Sequence, residues 1–82
     1  MSDSTRAQRI HELDVTVWVG KKGLDPVEAE LNDQLAEREF VKAKFHRSAR
    51  GGTTTEELAD DLADRVNAEV VRTRGHTAVF ER

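Results

Sequence analysis

Apolar and polar residues alternate along three stretches of the chain, a period of two that is typical of β-strands with one buried face. In residues 15–19 three valines share one face, and Trp18 points the other way. We interpret Trp18 as a packing residue, with base stacking as the alternative. Residues 40–47 and 69–74 also alternate, and residues 77–82 return after a tight turn at Gly75 and His76 as a fourth strand. We therefore predict four strands, of which the last two form a hairpin with a tight turn.

Other stretches carry an apolar residue every third or fourth position, which is the spacing of a helix that packs one face on a sheet. One such helix is predicted for residues 26–38, and another follows a threonine cap at Thr53 or Thr54. A shorter helix is predicted for residues 4–13. The apolar positions of these three helices are Ile10, Leu13, Val27, Leu31, Leu35, Leu58, Leu62 and Val66.

The predicted elements follow one another in the order α-β-α-β-α-β-β. Strands that alternate with helices favour parallel βαβ crossovers, whereas the closing hairpin is antiparallel. We therefore predict a single small α/β domain over residues 1–82, ordered from about residue 4, with a four-stranded mixed sheet and helices packed chiefly on one face. Its predicted core comprises Val15, Val17, Val19, Leu31, Leu35, Val41, Ala43, Phe45, Leu58 and Leu62.

Two glycines bracket two lysines in the loop between the first strand and the second helix, at Gly20-Lys21-Lys22-Gly23. Glycine allows unusual backbone angles and the close approach of another backbone. The free N–H groups at the start of the following helix favour an anion, and the lysines add positive charge. The loop is therefore suited to a phosphate backbone, as in the KH module. The alternative is an ordinary strand-to-helix turn.

The start of the second helix also contains a carboxylate. Asp25 is a good N-cap, Pro26 suits the first helical position, and Glu28 falls where a capping box requires it. A phosphate at this loop would therefore have to share the helix end with Asp25.

Cationic side chains occupy the outward positions of the later strands. Lys42 and Lys44 alternate with apolar residues in the second strand. In the third strand, Arg72 and Arg74 are predicted to point one way and Val71 and Thr73 the other. The loop that follows the second strand is rich in glycine and serine and is predicted to be flexible. This loop adds two more cations, Arg47 and Arg50.

Charge is unevenly distributed along the chain, whose net charge is −3. Residues 25–39 and 53–67 contain eleven of the sixteen acids but only two of the thirteen lysines and arginines. The two longer helices are therefore acidic, and the loops and strands are basic. The acids form either an ordinary solvated surface or a surface adapted to a high-salt cytoplasm.

The chain lacks the residues that several classes of function need. It has no cysteine, which excludes disulfides and thiolate metal sites. His11, His46 and His76 lie on different predicted elements without acids at metal-ligand spacing, so we expect no metal or cofactor. No nucleophile motif occurs, and no apolar run suits a signal peptide or membrane span. We expect a cytoplasmic, monomeric protein that is not an enzyme and does not bind membranes.

Taken in order, these stretches resemble the CRM domain (chloroplast RNA splicing and ribosome maturation) in its stand-alone YhbY-like form. The strand that runs into residues 19–24 is similar to the family's strand-Gly-x-x-Gly-Leu signature, and residues 40–44 resemble its Leu-Ile-Lys-Val-Lys strand. The third helix and the hairpin around Gly75 match in position. The resemblance extends from about residue 4 to residue 82.

The resemblance implies an RNA-binding domain with a fold similar to the C-terminal domain of translation initiation factor 3. It also implies ribosomal RNA or pre-ribosomal large-subunit particles as partners, or group II introns in multidomain plant relatives. We predict RNA contacts in the loop and on the basic strand face, with a protein-interaction domain that uses the acidic helices as the alternative. The predicted RNA-binding residues are Gly20, Lys21, Lys22, Gly23, Lys42, Lys44, Arg47, Arg50, Arg72 and Arg74.

Overall fold

The structure is a computed structural model that describes residues 2–82, with side chains from residue 5 onward. The predicted α/β class and the order α-β-α-β-α-β-β are confirmed, and each strand begins at its predicted first residue. The elements are α1 (Ser2–His11), β1 (Val15–Val19), α2 (Asp25–Glu37), β2 (Phe40–Phe45), α3 (Thr55–Val66), β3 (Glu69–Arg74) and β4 (Thr77–Glu81).

The four strands form one mixed sheet in the order β1-β2-β4-β3. Strand β1 is parallel to β2, because α2 carries the chain back to the end where β1 began. Strand β4 is antiparallel to both of its neighbours, β2 and β3. The closing hairpin therefore inserts its second strand beside β2 and leaves β1 and β3 at the two edges.

Helices α2 and α3 cover one face of this sheet and enclose the main core. Leu31 of α2 and Leu62 of α3 are fully buried together with Phe45 and Phe80 of the sheet. The predicted core is confirmed except at its margins, where Leu58 is only partly buried and Val15 is half-buried outside the cluster. Helix α3 begins as predicted, with the Thr54 hydroxyl accepting a hydrogen bond from the Glu57 N–H at 3.1 Å.

Helix α1 packs on the opposite face of the sheet. Ile10 forms a second, smaller apolar cluster with Phe40 and Val79, flanked by Leu13 and Val71. The prediction of helices chiefly on one face is confirmed by α2 and α3, whereas the sequence does not indicate that α1 covers part of the other face. Phe40 and Val79 supply apolar surface there, which Ile10 removes from water.

Two arginines of α1 fix this helix to the sheet. Arg6 donates two hydrogen bonds of 2.8 Å to the carboxylate of Glu81, and these hold the pKa of Glu81 below its usual value. The guanidinium groups of Arg6 and Arg9 lie 5.0 and 5.3 Å from the ring centre of Phe40. Arg9 also pairs with Glu39. These contacts supplement the small apolar cluster in holding α1.

A β-bulge in β3 changes which valine faces the main core. The pairing of β3 with β4 shifts between Val70 and Arg72. Val70 consequently packs against the main core, whereas Val71 packs against the cluster under α1. The prediction that Val71 shares a face with Thr73 is wrong because the extra residue of a bulge breaks the period of two.

The exposed acids of α2 and α3 lie on neighbouring helices on the same side of the molecule. Arg65 of α3 joins the two helices, with an N–O distance of 2.5 Å to Asp25 and 3.6 Å to Glu28 of α2. Within α3 it also contacts Asp61 at 3.3 Å. The hydrogen bond to Asp25 raises the pKa of Arg65 above its ordinary value. One arginine thus offsets part of the charge of this acidic layer.

We expect the melting temperature to rise with KCl concentration into the molar range, because salt screens repulsion within the acidic layer. Asp60 lies four residues from both Glu56 and Asp64, a spacing at which like charges destabilise a helix. Asp60→Asn should therefore raise the melting temperature at low salt and flatten its dependence on KCl. Thermal melts of both proteins over a KCl series test this, and a midpoint that stays flat or falls would mean that the acids are an ordinary solvated surface.

Candidate nucleic-acid interface

Three connections from distant parts of the sequence meet at one end of the sheet. The parallel strands β1 and β2 both finish there, the antiparallel β4 starts there, and β3 finishes beside it. The His46 N–H donates to the Val19 carbonyl and the Phe45 N–H donates to the His76 carbonyl, both at 2.8 Å. The Gly-x-x-Gly loop, the loop after β2 and the β3–β4 turn are therefore neighbours.

The Gly-x-x-Gly loop is a tight turn that presents its lysines to solvent. The Gly23 N–H donates to the Gly20 carbonyl at 2.9 Å, which closes the turn. Gly23 has a φ of +80°, a conformation that side chains disfavour and glycine allows. Lys21 and Lys22 lie at the tip of the turn and are exposed, as the sequence predicts.

The start of α2 differs from the prediction in one respect. Helix α2 begins at Asp25, and Leu24 occupies the cap position without a side-chain hydrogen bond. Leu24 is buried in the main core. The helix therefore begins one residue earlier than it would with Asp25 as its cap. The carboxylate of Asp25 instead bonds to Arg65. Asp25 and Glu28 still lie in the first turn of α2, so a phosphate at this loop would share the helix end with carboxylates that Arg65 partly neutralises.

The loop after β2 is more ordered than its composition predicts. Residues Arg47–Ala49 form a short 3-10 helix, and the Thr53 N–H closes a further turn on the carbonyl of Arg50. The half-buried Arg50 donates from its Nε to the Phe45 carbonyl at 3.2 Å, so it holds the loop against the end of β2. Arg47 is exposed.

The pairing register aligns four residues in a row across the face opposite α2 and α3. Trp18 pairs with Lys44, Lys44 with Thr77, and Thr77 with Arg74. Side chains of paired residues point to the same face. Trp18 is 54% exposed, so the interpretation of this residue as a packing residue is wrong.

The two remaining predicted cations of the strands, Lys42 and Arg72, lie beside this row. Lys42, Arg72 and Arg74 line a small pocket of about 50 Å³ between the sheet and α1. Lys42 is half-buried. His11, at the end of α1, lines the same pocket. The sequence gives no signal for this position, because the pattern of apolar residues does not show on which face of the sheet α1 packs. The other lining residues are Ile10, Thr77 and Val79.

We call this region the cationic end of the sheet. It comprises the Gly-x-x-Gly loop, the loop after β2, the row across the sheet and the pocket beside α1. The strand acids Glu69 and Glu81 lie at the opposite end, where they pair with each other. The predicted RNA-binding residues are distributed over these segments: Gly20, Lys21, Lys22, Gly23, Lys42, Lys44, Arg47, Arg50, Arg72 and Arg74.

Other kinds of site have little support in the part of the chain that the structure describes. No group of three or more histidines and acids among the side chains described from residue 5 onward is arranged to hold a metal ion. The helices of the same residues are all too short or too polar to cross a membrane.

Comparison with solved structures and known sequences agrees with this geometry. A Staphylococcus aureus protein, whose solution structure is described as that of a hypothetical, candidate RNA-binding protein, superimposes with a TM-score of 0.74 at 25% identity. The match covers 93% of this chain and 78% of the other. A Methanocaldococcus jannaschii protein named as a probable RNA-binding protein is 38% identical over 74 residues, which is 90% of this chain.

The chain spans 55% of the length of the M. jannaschii relative. The sequence model of the CRS1/YhbY (CRM) domain matches residues 4–82, which is nearly the whole chain. The loop, the basic second strand and the closing hairpin on which the resemblance rests all lie inside this match. The chain belongs to the CRS1/YhbY (CRM) domain family.

Proposed function

We propose that this protein binds RNA through the cationic end of its sheet. The observation that carries the proposal is the meeting of separate cationic segments at one end of one sheet. Lys21 and Lys22 come from the β1–α2 loop, Lys44 from β2 and Arg74 from β3. Family membership and the RNA-binding names of the relatives support the same function.

The chemistry of the surface favours a phosphate backbone. Lysine and arginine neutralise phosphates and displace their counterions, which supplies most of the affinity of a nucleic-acid-binding surface. The turn at Gly20–Gly23 allows a backbone to approach closely, because neither glycine carries a side chain there. Contacts of this type position an RNA without reading its sequence.

The partner that we propose is ribosomal RNA within pre-ribosomal large-subunit particles, on the basis of the family resemblance. The proposed role is that of a monomeric binding protein of the cytoplasm, without catalysis. A surface of exposed lysines and arginines fits this role better than it fits a substrate cleft, because it holds phosphates without a nucleophile or metal.

Charge reversal on the sheet face tests the proposal. Lys44→Glu places a carboxylate in the middle of the row across the sheet, so it should weaken binding of a fluorescently labelled RNA by tenfold or more, on the order of 1.4 kcal/mol. Arg38→Glu is the matched control, because Arg38 is exposed and lies at the opposite end of the sheet, just before β2. Its effect on affinity should be several times smaller.

Fluorescence anisotropy titrations at several KCl concentrations measure both effects. Thermal melts confirm that each variant is folded. Equal losses in the two variants would mean that net charge, and not the cationic end, governs binding. If the wild-type protein binds neither ribosomal RNA fragments nor unrelated RNA at low salt, the proposal is wrong.

A further inference from the structure

Trp18 is the only large apolar side chain among residues 5–82 that lies mostly in solvent, at 54% exposure. It stands on the edge strand β1, on the face that α2 and α3 leave open. Helix α1 covers Phe40 and Val79 toward the other end of the sheet and leaves Trp18 exposed. The intramolecular packing of this chain therefore gives no reason for a tryptophan at this position.

A cationic side chain lies directly beside Trp18. Lys44 is its partner in the pairing with β2, whereas Arg74 ends the same row on β3, three strand spacings or about 14 Å away. Trp18 also stands two residues before Gly20, about 7 Å along a strand. This distance is comparable to the spacing between a base and a neighbouring phosphate of the same RNA strand.

We infer that Trp18 stacks on an unpaired base of an RNA strand whose phosphates lie at the Gly20–Gly23 loop and at Lys44. This inference rests on the proposed function and deepens it by naming the class of RNA. The ligand is RNA with at least one unstacked nucleotide, such as a single strand, a loop or a bulge. Uniform duplex is disfavoured because its base faces are covered by stacking.

Charge complementarity selects a nucleotide over an apolar partner. An apolar protein surface that covered Trp18 would also remove the ammonium group of Lys44 from water, which is costly without a counter-charge. A nucleotide supplies a flat π-face for the indole and an anionic phosphate for the lysine in the same molecule. Single-stranded nucleic-acid sites combine aromatic stacking with a positively charged track in this way.

The intrinsic fluorescence of the protein provides a direct test, because Trp18 is its single tryptophan and it has no tyrosine. A short single-stranded RNA of mixed sequence should quench this fluorescence as it binds. The same RNA annealed to its complement should bind more weakly and quench less. Excess unlabelled duplex serves as the competitor that measures the preference.

Three substitutions separate stacking from apolar contact. Trp18→Ala and Trp18→Leu should both weaken binding of labelled single-stranded RNA by about 5- to 150-fold, as expected for the loss of one base–aromatic stack. Trp18→Phe keeps an aromatic face and should retain most of the affinity. All three variants should melt near the wild-type temperature, since exposed substitutions change stability little.

Each result has a distinct meaning. Quenching by single strands together with loss of affinity in the Leu variant supports the inference. RNA binding without quenching, and with equal affinities of wild type and Trp18→Leu, overturns it and leaves the proposed function standing. Wild-type protein that binds no RNA overturns both. Self-association that is lost in Trp18→Ala, measured by sedimentation without RNA, would instead assign this surface to a second copy of the chain and overturn the inference.

Discussion

Replacing Leu31 with alanine is expected to lower the free energy of unfolding by about 2 to 5 kcal/mol. Leu31 is fully buried between α2 and the sheet, within the main core. The substitution removes apolar contacts and leaves a cavity that the surrounding helices and strands fill only partly. In a domain of this size such a loss is a large fraction of the total stability.

Asp33→Ala is the matched control for this prediction, because Asp33 lies on the exposed side of the same helix. Its effect should stay within about 0.5 kcal/mol. Urea denaturation followed by circular dichroism gives both values by linear extrapolation. An unchanged midpoint for the Leu31 variant would contradict the packing of α2 on the sheet.

Replacing Lys21 and Lys22 together with alanine is expected to weaken RNA binding without unfolding the protein. Both side chains are exposed at the tip of the turn, so the substitutions remove ammonium–phosphate interactions but no core packing. The affinity should fall for structured and unstructured RNA alike, because these interactions do not read sequence. The slope of log affinity against log salt should become shallower by about 0.7 for each phosphate of a single strand that is no longer neutralised.

A variant with arginine at both positions is the matched control, since it preserves the charge and the exposure of the turn. Its affinity and salt slope should stay close to those of the wild type. Filter-binding titrations over a salt series measure all three proteins. If the alanine variant shows the affinity and the slope of the wild type, Gly20–Gly23 is only a turn and binding rests on the sheet face.

The periodicity of the sequence is sufficient to predict the elements, the mixed sheet and most of the main core. Alternation in β2, for example, assigns Val41 and Phe45 to the core because a period of two leaves little ambiguity about faces. The position of the Gly-x-x-Gly loop follows from the same reasoning. The exposure of its lysines follows as well, since a short turn offers them no core.

Features that depend on tertiary contacts are harder to predict. The burial of Leu24 moves the start of α2, and the bulge in β3 moves Val71 to the second face. Neither effect has a local signal, because each depends on partners elsewhere in the chain. The docking of α1 explains why Phe40 is buried although it shares a face with Lys44. The alternation of apolar and polar residues also cannot show whether an outward tryptophan packs against another part of the chain. This is why the interpretation of Trp18 as a packing residue is wrong.

The separation of an acidic helical layer from a cationic sheet end has a consequence for how the molecule meets a polyanion. A chain of net charge −3 would be repelled by RNA if its charge were spread evenly. Because most helix acids lie over one face of the sheet while Lys44 and Arg74 lie on the other, we expect the molecule to act as an electric dipole that orients as it approaches RNA. Encounters in which the acidic helices face away from the RNA should then be favoured. The association rate with RNA should then fall as salt is added, as expected for a cationic surface, although the net charge of the protein is negative.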